Sequence, residues 1–261
     1  MNRLLAKLRS IKRYFTYCGG TFHCPLCERS ARFFLPNRNK NNIGKKVIDK
    51  YKIVAMGNRD HYQCPWCGST DKERLVWWYL SQILVPGQKI LHIAPEKNTR
   101  RRIQAMPNME YICGDKFYDN PRYKDGRYSG VDQIDITALS YPDKSFDIII
   151  CNHVLEHVED DARALSELHR VLKTGGTSIL QVPVSYITET IENPAMRTEK
   201  QRERAFGQID HVRIYGTDYP QRLEEAGFSV TDIAPTNRPY LSRYGVNPRE
   251  HLYIAERRHS L

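Results

Sequence analysis

The sequence predicts an α/β chain, in which a mostly parallel sheet with helices on both faces follows a small zinc-binding module. Three observations carry that expectation. Beyond Gly87, strand-sized apolar runs alternate with helical ones, the pattern of a parallel sheet covered on both sides. Two CxxC pairs, Cys24 with Cys27 and Cys64 with Cys67, precede the alternation. At 261 residues the chain is long enough for one standard α/β domain and a smaller appendage.

Taken in order, Leu4, Leu5, Leu8, Ile11 and Phe15 recur at three- and four-residue steps, so residues 1–17 read as an amphipathic basic helix ringed by Arg3, Lys7, Arg9, Lys12 and Arg13. Such a helix suits either packing on its own protein or peripheral contact of residues 1–15 with an anionic membrane surface. Residues 18–70 hold both CxxC pairs, many turn formers and no long periodic segment, as a zinc-ribbon-like module would. Residues 71–88 read as a linking helix, aromatic-rich from Glu73 to Ile83 and closed before Pro86 and Gly87.

Residues 89–261 form the α/β domain. Its expected strands are Lys89 to Ala94, Glu110 to Cys113, a short one at Val131 to Ile134, Phe146 to Cys151 and Thr177 to Val182. Helices are expected at Asn98 to Met106 and Asp160 to Leu172. A polar insertion then precedes a helix at Asp218 to Ala226 and strands at Phe228 to Ile233 and Leu252 to Glu256.

Hydrophobic residues at 40% and charged residues at 27% suit a globular chain. The longest apolar runs are strand-sized, far short of the ~20 residues that span a bilayer, so no transmembrane segment is expected. Basic residues interrupt the N-terminal apolar positions every two or three residues, unlike a secretory signal, so the expected location is the cytoplasm. Seven cysteines in that compartment argue for metal rather than disulfides. Residues 1–75 hold 16 Lys and Arg against 5 Asp and Glu, while the remaining 24 and 25 nearly cancel, so the positive excess sits in the N-terminal part. That excess fits an anionic partner such as RNA, lipid headgroups or an acidic glycan, or a merely soluble surface.

In CPLC and CPWCG each cysteine pair lies on one tight turn, with a proline inside both pairs and Gly68 after the second. Four thiolates from Cys24, Cys27, Cys64 and Cys67 suit tetrahedral Zn²⁺ and leave no open position, so the metal is expected to be structural. A redox pair and a rubredoxin-type iron site are the alternatives, and His23 and His61 stand near enough to replace a sulfur. Cys113 and Cys151 fall on expected strands and read as small buried hydrophobes.

From Ile134 to Pro183 runs IDITALSYPDKSFDIIICNHVLEHVEDDARALSELHRVLKTGGTSILQVP. It resembles the class I S-adenosylmethionine-dependent methyltransferases, in particular the large type 11-like branch with a D-x-x-x-L-x-F/Y-x-D-x-S-F-D entry, a VLEH after strand four and E-x-x-R-V-L-K-x-G-G before strand five. The resemblance implies a Rossmann-like sheet whose cofactor lies across the carboxyl ends of its strands. It places Asp135 beside the adenine amino group with Ile136 offering backbone contacts, and Asn152 and His153 under the methionine part. Asp115, ending strand two, would hold the ribose hydroxyls; Asp135 and Asp115 also read as a helix cap and a turn residue. Glu156 and His157 read equally as packing and capping residues.

Strand one departs from the family's D-x-G-x-G turn. Here His92 stands at the acid position, Ala94 at the first glycine and Glu96 at the second. Ala94 is small enough for a near approach, and Glu96 is within chain reach of the cofactor's amino group or ribose. LHIAPE together with CPWCGS also resembles a branch of bacterial methyltransferases associated with surface-polysaccharide genes.

These features lead to an S-adenosylmethionine-dependent methyltransferase acting on a small-molecule or glycan hydroxyl, with His153 or His211 as general base and Asp210 able to orient either. An RNA methyltransferase that grips phosphate with the basic zinc module is the second reading. The third is a non-catalytic, zinc-dependent interaction protein with a vestigial cofactor fold.

Overall fold

The computed structural model describes residues 11–37, 42–54, 60–116 and 130–258. Of the expected N-terminal helix, residues 11–17 are helical and residues 1–10 lie outside the described residues. The chain divides into two compact units, one of residues 1–39, 56–83 and 234–250, the other of 40–55, 84–233 and 251–261.

This division does not follow the contiguous boundaries expected from sequence. Residues 40–55 join the larger unit because Ile53–Val54 pairs antiparallel with Val184–Ser185, and Val47 and Ile53 pack with Phe206 and Ile214. Residues 234–250 join the smaller unit for an electrostatic reason. Arg74 is wholly buried, and its guanidinium donates to the carbonyls of His61, Tyr62, Ser69, Tyr244 and Gly245 while stacking 4.3 Å above Phe34. A buried cation needs such a full set of acceptors.

The smaller unit is built on a hairpin, Phe22–Cys24 with Arg29–Ala31, and the helix Asp71–Ile83. That helix starts in a capping box, with Thr70 N donating to Glu73 Oε2 at 2.9 Å and Glu73 N to Thr70 Oγ1 at 3.3 Å. Arg13 of the N-terminal helix donates to the carbonyls of Pro65 and Trp66, so residues 11–17 pack on the second cysteine turn of their own unit.

In the larger unit a seven-stranded sheet comprises β1 (Lys89–Ile93), β2 (Glu110–Asp115), β3 (Asp132–Gln133), β4 (Phe146–Asn152), β5 (Leu172–Gln181), β6 (Ser229–Ile233) and β7 (Leu252–Glu256). Their order is β6-β7-β5-β4-β1-β2-β3, and only β7 runs against its neighbours. β4 is apolar and buried along nearly its whole length because neighbouring strands and both helix layers surround it. The helix Asp161–Val171 turns Ala164, Leu165, Leu168 and Val171 to the core and is capped by Asp160, whose carboxylate accepts from Arg163 N.

β5 begins at Leu172 rather than Thr177, because Leu172 already pairs with Phe146 across an irregularity before regular pairing resumes at Thr177. Two helices stand where only polar or turn-rich chain was expected, Asn42–Tyr51 and Glu199–Phe206. Among the described residues no helix is long and apolar enough to cross a membrane.

Candidate active site

Strand order reverses between β1 and β4, and there the carboxyl ends of the parallel strands open into a cavity of about 560 Å³. Its wall includes Ala94, Asp115, Asp135, Ile136 and His153, five residues that the sequence assigned to cofactor binding. Ala94 (φ 48°) and His153 (φ 54°) both adopt left-handed backbone just past β1 and β4. Side chains other than glycine seldom stay there unless the surroundings hold them. Here Ala94 N donates to Gly114 O at 2.8 Å and His153 N to Gln181 O at 2.7 Å, fixing both turns to adjacent strands.

The other three assigned residues do not line the cavity; they form a layer of their own beside the β1 turn. His92 is fully buried, with Nε2 2.7 Å from Glu96 Oε2 and Nδ1 2.9 Å from Tyr111 Oη, and Asn152 Nδ2 donates to Glu96 Oε1 at 3.1 Å. Burial alone would raise the Glu96 carboxyl, but His92 and Asn152 outweigh it and hold the group below its ordinary range. Glu96 therefore turns back to braces that replace the missing glycine-rich turn.

Asp135 is held for a different task. Its Oδ1 accepts from Thr137 N at 2.9 Å and Thr137 Oγ1 at 2.7 Å, and its Oδ2 lies 3.1 Å from Lys116 Nζ. Those hydrogen bonds, with Lys116, keep its carboxyl below the usual range. Sequence reading gave no role to the pair that fixes this loop. Glu167 accepts from Leu139 N at 2.9 Å, while Arg170 donates to Leu139 O, Tyr141 O and Glu167 itself. Their three-residue spacing on the helix, the E-x-x-R of the quoted family pattern, is the sequence signal for that clamp.

Past β4 a short 3₁₀ turn, Leu155–His157, carries Glu156 and His157. His153 Nδ1 stands 3.3 Å from Glu156 Oε1, while Glu156 Oε2 is buried without a hydrogen-bond partner among the described residues. Burial would raise the Glu156 carboxyl, yet the hydrogen bond from His153 and the charges of His157 and His211 bring it down to about 2. His157 lines the cavity and reaches Asp210 through Nδ1, at 3.4 Å from Oδ2. His211 lies behind it, rings 4.7 Å apart, and burial pushes its imidazole down to about 4. Thus His153, His157 and Asp210 occupy the wall and His211 does not.

The segment around His211 is held by Arg213, nearly wholly buried, whose guanidinium donates to Leu155 O at 3.0 Å, Glu159 O at 2.8 Å and Val158 O. Val212 N adds a bond to Glu156 O at 2.9 Å.

In the smaller unit the sulfurs of Cys24, Cys27, Cys64 and Cys67 all lie within 4.8 Å of one another, with Cys24 to Cys67 at 3.7 Å and Cys27 to Cys64 at 3.9 Å. Zinc–sulfur bonds of about 2.3 Å give tetrahedral sulfur–sulfur edges of about 3.8 Å, so the four positions fit that ion. Trp66 N points at Cys64 Sγ at 3.4 Å, and Gly68 (φ 80°) closes the turn as CPWCG implied. His23 and His61 are not members of the cluster. Cys113 and Cys151 are buried on β2 and β4, and burial pushes both thiols up.

Residues 93–180 match the methyltransferase domain family. The chain is similar to an uncharacterised 37.1 kDa protein in a transposon of Streptomyces fradiae, at 31% identity over 161 residues covering 60% of this chain and 41% of that protein. It is also similar to a demethylmenaquinone methyltransferase of Renibacterium salmoninarum, at 31% identity over 98 residues covering 37% of this chain and 41% of that one. This chain thus spans about two fifths of the length of these curated relatives. The fold is similar to that of a Haemonchus contortus phosphoethanolamine N-methyltransferase 2, with a TM-score of 0.50 at 12% identity over 74% of this chain and 53% of that one.

Proposed function

We propose that this protein is a class I S-adenosylmethionine-dependent methyltransferase that methylates a hydroxyl of a small molecule or glycan. The observation that carries the reading is the pair of carboxylates, Asp115 and Asp135, in one cavity at the carboxyl ends of the strands. When bound, S-adenosylmethionine supplies a methyl group on a cationic sulfur, an electrophilic carbon open to in-line attack. Asp115 is suited to accept hydrogen bonds from both ribose hydroxyls, and Asp135, held in its ionised form by Thr137, to accept from the adenine amino group. Ala94 lets the β1 turn approach closely. The acceptor's proton goes to the His153 imidazole of the wall. His211, which the sequence offered as a base, supports His157 in this reading.

Zinc held by Cys24, Cys27, Cys64 and Cys67 staples the smaller unit. The sulfur spacing supports it. Four sulfurs so close ionise together only around a cation.

Calorimetry with S-adenosylmethionine on zinc-replete protein tests the cofactor assignment, with Asp135→Asn and Asp115→Asn expected to weaken binding at least tenfold. Labelled methyl transfer to cell RNA, protein and polysaccharide fractions tests the acceptor. Label confined to RNA, with binding that weakens steeply in salt, would replace the hydroxyl reading by the RNA one. No cofactor binding at all would leave only the interaction-protein reading.

A further inference from the structure

We propose that Glu156, His157 and His211 form a second metal site, separate from the cysteine cluster, for a divalent transition-metal ion. One carboxylate oxygen and one nitrogen from each imidazole lie within 4.8 Å of one another. Metal bonds of about 2.0–2.2 Å set such donors roughly 3 to 3.5 Å apart, a contraction that modest side-chain rotations supply.

Two further observations point to an ion. Glu156 Oε2 is buried and accepts nothing among the described residues, although Oε1 of the same group has His153 at 3.3 Å. A buried carboxylate oxygen without a donor is missing a positive partner. His157 is also held in the manner of a metal-bound imidazole. Its Nδ1 faces the Asp210 carboxylate at 3.4 Å and the Asp210 carbonyl at 3.3 Å, an outer contact that orients the ring and leaves Nε2 for an ion.

The frame around the three groups is stiff. Arg213 ties the carbonyls of Leu155, Val158 and Glu159 together, and Val212 N bonds Glu156 O, so the 3₁₀ turn and the His211 segment hold one relative position. Two imidazoles and one carboxylate select zinc, iron, cobalt or nickel rather than magnesium or calcium, which prefer all-oxygen shells. Three protein ligands leave positions open, and His157 lines the cavity, so a small ligand there has access to the ion.

The competing account is that protonated imidazoles alone neutralise Glu156. Metal-depleted full-length protein titrated with Co²⁺ separates the two. The cysteine cluster announces cobalt by intense near-ultraviolet sulfur charge-transfer absorption, whereas the histidine–carboxylate site gives only weak visible bands. The expected result is two equivalents per chain. Glu156→Gln and His157→Asn each remove the second while leaving the charge-transfer band, and Cys67→Ser does the reverse. Asp210→Asn keeps the second equivalent but weakens it about tenfold or more. His157 is partly exposed, so its replacement keeps the test alive if Glu156→Gln does not fold. A single equivalent unchanged by Glu156→Gln and His157→Asn, or a second one that both variants retain, would overturn the proposal.

Discussion

Replacing Arg213 with alanine tests the claim that one guanidinium fixes the turn bearing Glu156 and His157. The side chain is 4% exposed and donates to three carbonyls, those of Leu155, Val158 and Glu159, and to the Glu192 carboxylate at 3.0 Å; Asp161 lies 3.5 Å away. Removing one partner of a buried ion pair costs about 3–5 kcal/mol. The two carboxylates keep a second cation, since Arg222 reaches Glu192 at 2.6 Å and Asp161 at 3.0 Å. The loss therefore falls on the carbonyls and belongs at the lower end, about 3 kcal/mol. For a unit of this size that lowers Tm by roughly 10 °C. Tryptophan fluorescence is the wrong probe, because Trp66, Trp77 and Trp78 all belong to the smaller unit. Far-ultraviolet circular dichroism and amide exchange on β4 and β5 report the larger one. The conservative Arg213→Lys variant should recover only part of the loss, since an ammonium lacks the planar fork that serves several carbonyls at once. A loss under about 1 kcal/mol for Arg213→Ala, well below the range for a broken buried pair, or unchanged exchange on β4, would refute the reasoning.

Other outcomes follow from the same geometry. Chelating zinc should shift tryptophan emission to the red, because Trp66 stands between Cys64 and Cys67 and Trp77 and Trp78 are buried, while exchange protection of β4 persists. Gly114→Ala should destabilise by about 1–3 kcal/mol and impair cofactor binding, since its Cβ would stand 2.7 Å from Asp132 O and closer still to the Ile134 side chain. Glu167→Gln should cost stability at neutral pH and nothing in acid. Hydrogen bonds from Arg170 hold the folded Glu167 carboxyl below its unfolded value, so its contribution is full above the unfolded pKa and fades as pH falls through the folded one. Urea midpoints of both proteins across that range check it, and a constant difference would contradict it.

What the sequence revealed depended on how local each signal was. β4 reads as a strand from Phe146, Ile148, Ile149 and Ile150 alone, because a strand buried on both faces needs an unbroken apolar run. The helix Glu199–Phe206 was equally legible in principle, since Thr198 and Gln201 make a reciprocal capping box, but its weak apolar face hid it in a polar stretch. Asn42–Tyr51 was hidden by its neighbours, being flanked by the loop residues of the cysteine module. Asp115 and Asp135 could be placed at the cavity because one ends β2 and the other stands just past β3, and a strand end fixes where the following residues go. Glu96 could not. Only three dimensions show that His92, four residues earlier, and Asn152, on another strand, draw its carboxylate into a layer of their own. Arg74 likewise finds Tyr244 and Gly245 about 170 residues away, a partnership without any local trace.

The matched family segment ends at residue 180, and the divide is chemically informative. Ala94, Asp115, Asp135, Ile136 and His153, which line the cavity at the strand ends, all fall inside it. Asp210, His211 and Arg213 fall outside, yet they complete the surroundings of Glu156 and His157 from within it. A shared cofactor demands the first group, whereas an acceptor differs between enzymes and leaves the second group free to vary. If the chain methylates as proposed, the residues past β5 are where its specificity is expected. Exchanging them should change what is methylated, or which metal is held, before it changes cofactor affinity.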